Sequence, residues 1–350
     1  MRIHRNKPMP VSKSRPKAAV TAADVAQRAG VSIATVSRVL NRSVSVTEDV
    51  SARVRAAAAE LGYVPHAAAR QLAQGKTSTL GLLLPEIGAP FFSDMLRGVE
   101  MGATEASYDL LIATQRPDDP RRPLWQPLGP HNSDGLLIFT DNVDAQEVGQ
   151  FYRRRFPVVL LYRAPPADLP IPCVLVENRG GARRAVEHLI EAHGHRRIAL
   201  LRGPEGNQDA EERAQGYRDA LATHGLPYDP ALVASGEFQE RPAREAVGRW
   251  LSGGLAFDAI FAGDDDSACG ALQALQAAGR RVPQDVALAG FDDSLVGRYL
   301  TPPLTTVHAP TERVGLEAVR QLVRLIGSGQ AAPTTLLPTE LVIRQSCGCE

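Results

Sequence analysis

Between residues 21 and 61 the apolar positions come in three short bursts at helical spacing. Val25, Ala26 and Ala29 form one stripe, Val36, Val39 and Leu40 a second, and Val50, Val54, Ala57 and Leu61 a third. Thr21 and Asp24 make a Thr-x-x-Asp pattern that satisfies amide donors at a helix start, and Gly30 ends that helix in the left-handed conformation open to glycine. Ser32 suits the N-cap of the second helix, and Gly62 stops a third that runs from about Thr47 to Leu61. Beyond Thr79 the period changes. Short apolar runs at Leu80–Leu84, Gly135–Phe139, Val158–Tyr162, Ile198–Leu201, Ala259–Ala262 and Val286–Phe291 alternate with helical patterns at Phe92–Ala106, Gly180–His193 and Ala210–His224. That alternation predicts doubly wound parallel sheets with helices on both faces, and about 270 residues suffice for two lobes.

The second helix is informative on its outward side, which carries Ile33, Ala34, Ser37 and Arg38. Short side chains with one long cation fit the major groove, where the first turn of a recognition helix reaches base edges and hydroxyls reach phosphates. Charge changes the picture in the same direction. The chain is neutral overall, yet residues 1–76 hold 13 Lys/Arg against 4 Asp/Glu, and the rest is acidic by the same margin. A basic head on an acidic body is expected when one segment alone meets phosphate. Residues 1–20 carry six cations and no acids and read as a disordered basic tail, but Arg38, Arg42, Arg53, Arg55 and Arg70 lie within patterned segments.

Three segments, TAADVAQRAGVSIATVSRVLN, ELGYVPHAAARQLAQGKTSTLGLLLP and AGFDDSLVGRYLTPPLTTV, resemble the LacI/GalR family of transcriptional regulators, closest to its galactose-type branch. The similarity runs from about Thr21 to the C-terminus. It implies an N-terminal all-α helix-turn-helix DNA-binding head and an α/β two-lobed, periplasmic-binding-protein-like effector domain with doubly wound parallel sheets. By the same resemblance Ile33 and Ala34 read bases, Thr35, Ser37 and Arg38 meet phosphate or base edges, and Asn41 contacts the backbone. Thr21 and Ser32 are further DNA-binding residues under the same resemblance. A hinge helix at residues 66–74 orders on operator DNA, with Leu72 as the wedge between base pairs and Ala69 where paired hinges meet. His66 stands where the family usually has asparagine. The expected division is a tail at 1–20, a head at 21–63, a hinge and linker at 64–78, and an effector-binding and dimerisation domain at 79–350. Within that domain the first lobe takes about Thr79–Glu177 and a helix near Ala309–Gly329; the second takes about Asn178–Val307 and the final segment.

Ligands in such folds lie beyond the carboxyl ends of strands. Phe91 opens a helix after the first strand and can offer a ring to an apolar sugar face. Arg213 and Asp292 match the family's ligand-binding arginine and aspartate, Asp264 stands where many relatives have asparagine, and Phe238 matches an aromatic wall position. Tyr162 ends a strand where relatives often carry a carboxylate. A plain structural reading stays open beside this one, with Arg213 and Asp292 as an ion pair and the phenylalanines as core. The prolines at 117, 120, 123, 127 and 130 interrupt a helix the family normally has, at about 3 kcal/mol each. The implied effector is a sugar or sugar derivative, with a purine-type corepressor as the alternative.

Other motifs are weaker. Gly75-Lys76-Thr77 imitates a phosphate loop, but Arg70 stands where its first glycine belongs. His188, His193 and His195 form no His-Glu-x-x-His pattern, and His193-Gly194-His195 reads instead as a helix end; Cys347-Gly348-Cys349 is only half of a four-ligand site, so no metal is expected. Asp264-Asp265-Asp266 matches an acidic pair that the family uses without a cation. Four cysteines in 350 residues suit a reduced cytoplasmic protein. No 7–15-residue apolar leader and no 18-residue apolar span is present, against an exported sugar-binding protein. With no phosphate loop, no Gly-x-Ser-x-Gly elbow and no nucleophile with its base, no enzyme, cofactor or catalytic residue is expected. The expected partners are a palindromic DNA operator, a small effector and a second copy of the chain, since operator symmetry mirrors a two-fold axis.

Overall fold

The computed structural model describes residues 20–41, 46–63, 76–115, 126–139, 145–166, 168–330 and 333–350. The chain divides into two compact units, residues 1–77 and 78–350. In the first, α1 (Ala22–Ala29), α2 (Ile33–Asn41) and α3 (Glu48–Leu61) enclose a small core of Val25, Ala26, Ala29, Val36, Val39, Val54, Ala57 and Ala58. The backbone N–H of Thr21 donates to Asp24 Oδ2 at 2.8 Å, the reciprocal half of a capping box. Gly30 takes φ 67° and returns the chain toward α2. Arg28 and Glu60 join α1 to α3 at 2.7 Å, an exposed pair that adds little beyond the apolar contacts.

The second unit holds two parallel sheets. The first has the order β11-β5-β4-β3-β1-β2, from β1 (Thr79–Leu84), β2 (Asp109–Thr114), β3 (Gly135–Ile138), β4 (Val158–Leu161), β5 (Cys173–Val176) and β11 (Thr335–Leu337). Along β1 the side chains alternate between two cores. Leu80, Leu82 and Leu84 join Met95 and Val99 of α4 (Phe91–Glu105), while Leu83 joins Leu128 and Val148 and Phe151 of α5 (Ala145–Arg153). Both faces are covered, so the strands read as unbroken apolar runs. α11 (Thr311–Ser328) packs on α4 so closely that a Cβ at Gly98 would lie 1.8 Å from the Glu312 carbonyl oxygen.

The second sheet has the order β7-β6-β8-β9, from β6 (Ile198–Arg202), β7 (Val233–Ser235), β8 (Ala259–Ala262) and β9 (Ala287–Ala289). Its central strand alternates likewise. Ile198 and Leu200 face α6 (Asn178–Glu191) and α7 (Gln208–Thr223), and Ala199 and Leu201 face α8 (Glu240–Ser252) and α9 (Asp265–Ala277).

Three crossings join the lobes: Glu177 between β5 and α6, Ala309–Pro310 between β10 (Thr306–His308) and α11, and Pro338–Thr339 between β11 and β12 (Glu340–Val342). Two are stitched together. Thr339 Oγ1 donates to the Glu177 carbonyl oxygen at 2.9 Å, and Arg184 Nη2 donates to the Thr339 carbonyl oxygen at 2.7 Å. The expected assignment of the whole final segment to the second lobe is corrected here. β11 extends the first sheet beside β5, burying Leu337, and only β12 pairs antiparallel with β10. Each piece is three residues long, too short to show a period in sequence.

Of the proline-rich stretch, residues 126–133 form turns that bury Leu128 and Ser133, while 116–125 lie outside the described residues. Among the described residues no helix is long and apolar enough to cross a membrane.

Candidate functional sites: the head and the cleft

Helix α2 begins with Ser32, whose Oγ accepts the Thr35 backbone N–H at 3.1 Å and shares a hydrogen bond with Thr35 Oγ1 at 2.9 Å. Val36 and Val39 point into the core. Ile33, Ala34, Ser37 and Arg38 are exposed and Thr35 is half-buried. Ile33 is 55% exposed, unusual for a β-branched apolar residue in so small a domain unless a partner covers it. Asn41 ends α2, but its side chain lies outside the described residues, as do His66, Ala69, Leu72 and the rest of the expected hinge up to Gly75.

In the second unit Arg213 is the centre of the site. It lies on α7, is 3% exposed, and each of its three guanidinium nitrogens donates a hydrogen bond. Nε donates to Asn178 Oδ1 at 2.8 Å, Nη1 to the Gly263 carbonyl oxygen at 2.6 Å, and Nη2 to Asp292 Oδ1 at 3.0 Å. The plane stacks on Phe291, 3.7 Å from the ring centroid, with Phe238 at 5.4 Å on another side. Asn178 is held by donating to Asp209 Oδ1 at 2.8 Å. The ion pair of the structural reading is therefore real, and it is wrapped in aromatic rings. Asn178, Asp209, Gly263 and Phe291 were absent from the sequence-derived site. Phe291 had a readable signal, as the residue just before Asp292 at a strand end.

Asp264 caps α9, accepting the Ser267 backbone N–H at 3.1 Å. Burial, and then the neighbouring Asp292 charge, push its carboxyl up to about 7. Burial also raises Asp292, against the opposing pull of Arg213. Asp265 serves the fold instead. It accepts from Thr306 Oγ1 at 2.6 Å and from the Ser294 backbone N–H at 2.7 Å, tying α9 to β10 and to the start of α10 (Leu295–Tyr299).

The first lobe contributes rings. Phe91, Phe92, Phe139 and Tyr162 meet edge to face or tilted, with centroids 5.1–5.9 Å apart. Phe91 is half-buried and packs on this group, while Phe92 is buried in the core. Tyr162 is 4% exposed, and its hydroxyl faces Thr311 and the charges of Asp209, Asp292 and Arg213 without completing a hydrogen bond. That surrounding burial holds the phenol well above its ordinary pKa, so it stays a neutral O–H. Tyr162, Phe238 and Asp292 all have left-handed φ, at 58°, 53° and 104°. Non-glycine residues in that region cost on the order of 1–3 kcal/mol and gather where geometry serves a site. Beside Asp292 a groove of about 480 Å³ runs between Asp94 and Arg97 of α4 and the His308–Glu312 crossing.

The structure also joins two motifs that looked inert apart. His188 and His193 lie beside Cys347 and Cys349, with all four donor atoms within 4.8 Å of one another. No spacing rule links positions this far apart in the chain.

Known proteins agree with this architecture. The family described as "Bacterial regulatory proteins, lacI family" matches residues 21–66, and "Periplasmic binding protein-like domain" matches 186–347. The HTH-type transcriptional regulator CelR of Thermobifida fusca is 38% identical over 331 residues, covering 92% of this chain and 96% of the relative. The HTH-type transcriptional regulator GalR of Escherichia coli K12 is 35% identical over 329 residues, covering 93% and 95%. Among solved structures, a CelR–cellobiose complex aligns with a TM-score of 0.71 at 35% identity, covering 93% of this chain and 99% of that one. A lac repressor dimer bound to operator and the anti-inducer ONPF aligns at 0.83 and 27%, covering 94% and 99%. The chain belongs to the LacI family of DNA-binding transcriptional regulators.

Proposed function

We propose that this chain is a dimeric repressor of carbohydrate-utilisation genes whose grip on a palindromic operator is set by a sugar or sugar derivative in the cleft. One observation carries the reading: Arg213 and Asp292 form a buried, aromatic-lined fork at the strand ends of one lobe, facing the orphan hydroxyl of Tyr162 on the other. A guanidinium beside a carboxylate suits vicinal hydroxyls, and rings suit the apolar face of a pyranose. Asp264 fits the same scheme. With its pKa near 7 it holds a proton for part of the time at neutrality, offering a donor and an acceptor as an asparagine would. The cellobiose bound by CelR in its solved complex supports a sugar as the class.

The coupling route starts at Asn178. It is the first residue of α6 after the Glu177 crossing, and its Oδ1 accepts from Arg213. A ligand that draws on Arg213 therefore acts on the junction between the lobes. Changing the lobe angle changes the separation of the two Pro65–Lys76 segments in a dimer, and with it the pairing of the hinges and their Leu72 wedges. Ile33, Ala34, Ser37, Arg38 and Asn41 read the major groove, with Thr21, Ser32 and Thr35 fixing the helix on the backbone; His66 and Ala69 serve the hinge. In this reading the protein works in the cytoplasm and turns over no substrate. Operator and effector oppose each other by the same factor, about 5–150-fold for such systems.

The test is selection of bound duplexes from a randomised pool by the purified protein, followed by release with a panel of mono- and disaccharides. A symmetric enriched motif, released by a sugar, is the expected result. Enrichment that appears only with added purines would replace the effector by a corepressor; no motif under any addition would end the regulatory reading.

A further inference from the structure

Cys347 and Cys349 come from the segment after β12, His188 from the last turn of α6, and His193 from the turn that follows it. Cys349 Sγ lies 3.3 Å from His193 Nε2 and 3.6 Å from His188 Nε2. Four ligands placed tetrahedrally at Zn–S of about 2.3 Å and Zn–N of about 2.0–2.1 Å define edges of roughly 3.3–3.8 Å, so both separations are those of a coordination shell. The imidazole rings stand 83° apart, which lets both nitrogens point inward without stacking.

We propose that His188, His193, Cys347 and Cys349 form a structural site for one tetrahedral Zn²⁺ that clamps the C-terminal tail to the end of α6. The backbone on each side is shaped for it. His188 sits in the last turn of α6, and Gly194, at φ 73°, folds the chain so that the His195 backbone N–H reaches the Leu189 carbonyl oxygen and His193 swings back beside His188. On the tail, Gly348 takes φ 109° between the cysteines, and a Cβ there would stand 3.2 Å from His193 Nδ1. The turn favours glycine, and the ring leaves little room for a side chain there.

The tail arrives already positioned. Ser346 Oγ accepts from the Thr305 backbone N–H at 2.8 Å and donates to the Leu288 carbonyl oxygen at 2.6 Å. Thr305 Oγ1 donates to Cys347 Sγ at 3.1 Å, the kind of outer hydrogen bond that orients a thiolate ligand. His195 stands outside this group of four, and its Nδ1 lies 3.7 Å from Asp258 instead. The donor set selects the ion: two sulfurs and two imidazoles suit Zn²⁺ and offer no oxygen to Mg²⁺ or Ca²⁺. On binding, each thiol releases its proton to solvent as its sulfur bonds the metal, so two protons leave per ion. Four protein ligands close the shell, which makes the site structural rather than catalytic.

The experiment uses the untagged full-length protein, isolated under reducing conditions without chelator. Elemental analysis should find Zn²⁺ stoichiometric with the chain. After stripping, titration with Co²⁺ should give intense tetrahedral visible bands and a thiolate-to-metal charge-transfer band, saturating at one equivalent and reversed by Zn²⁺. Cys347→Ser with Cys349→Ser should remove the charge-transfer band and the bound zinc, and His195→Ala should keep both. Wild-type protein that gives neither stoichiometric zinc nor the charge-transfer band overturns the site, as does full zinc retention in the double cysteine variant. The wild-type spectra decide the matter even if the double variant does not fold.

Discussion

The two walls of the cleft are made of different materials. On the first lobe Phe91, Phe92, Phe139 and Tyr162 pack ring against ring, with one unpaired hydroxyl. On the second, Arg213, Asp292, Asn178 and Asp209 form a chain of charge-assisted hydrogen bonds in which Arg213 and Asn178 are buried and the two aspartates half-buried. The aromatic wall is held by area and shape, so losing part of it costs contact in proportion. The charged wall is held by mutual satisfaction, so losing one member leaves another buried and unpaired. The lobes should therefore respond very differently to single substitutions.

The largest effect is expected at Arg213. Arg213→Ala strips Asp292 of its ion-pair partner and frees the Gly263 carbonyl, which predicts a loss of about 3–5 kcal/mol in chemical denaturation. Effector response should vanish with it. Arg213→Lys keeps the charge and separates the two consequences: much of the stability should return, but a point charge cannot hold Asn178, Gly263 and Asp292 together, so sugar release of the operator stays lost. A fluorescence-anisotropy titration of labelled operator with and without sugar measures this directly. A lysine variant with a normal response would mean that the fork is architecture alone.

Next in size is Asp264→Asn, read as a function of pH. The wild-type carboxyl has its pKa raised from 3.8 to about 7 on folding, so the folded state holds this proton more tightly than the unfolded chain. The stability tied to that proton is fully present below pH 3.8, falls as pH rises toward 7 and is gone above that. Asparagine caps a helix as well as aspartate and does not titrate. The variant should match wild type near pH 4 and exceed it at pH 8 by on the order of 2–4 kcal/mol. Thermal melts at the two values check the sign. A constant difference would show that Asp264 is not the group losing its proton. Sugar affinity of the variant should also be flatter with pH between about 6 and 8.

How much of this was legible in sequence depends on how local the cause is. The head was readable because Thr21, Gly30, Ser32 and Gly62 act within a few residues of themselves. β1, β3, β4, β6 and β8 announced themselves as apolar runs buried on both faces. β2 did not, because it is an edge strand whose burial merely alternates between exposed and partial, and its Asp109 start looks like a loop. β11 and β12 are three residues each and are defined by their neighbours. The site divides the same way. Arg213, Asp264, Asp292 and Phe238 sit in motifs matched by resemblance, whereas Asn178 joins Arg213 only through the fold, 35 positions away. The His188–His193–Cys347–Cys349 cluster is the extreme case, since Cys349 meets His193 across 156 positions. Half of the ligand set stood in each of two segments, and only packing says that the segments are neighbours.

The smallest and most discriminating change is Tyr162→Phe, which tests the aromatic wall without disturbing its rings. Its hydroxyl is buried without a completed hydrogen bond, and such a group costs about 1–3 kcal/mol relative to a satisfied one. Removing one oxygen leaves no cavity of consequence, so the ligand-free variant should be as stable as wild type or up to about 1 kcal/mol more so. If that hydroxyl waits for a sugar oxygen, the variant should bind effector more weakly, by about tenfold or less, since one neutral hydrogen bond is worth roughly 0.5–1.5 kcal/mol. Gained stability with weakened sugar binding would show that the first lobe keeps one polar group unsatisfied for the ligand. Lost stability would mean instead that Thr311 or water already satisfies it, and the first wall would then be aromatic packing alone.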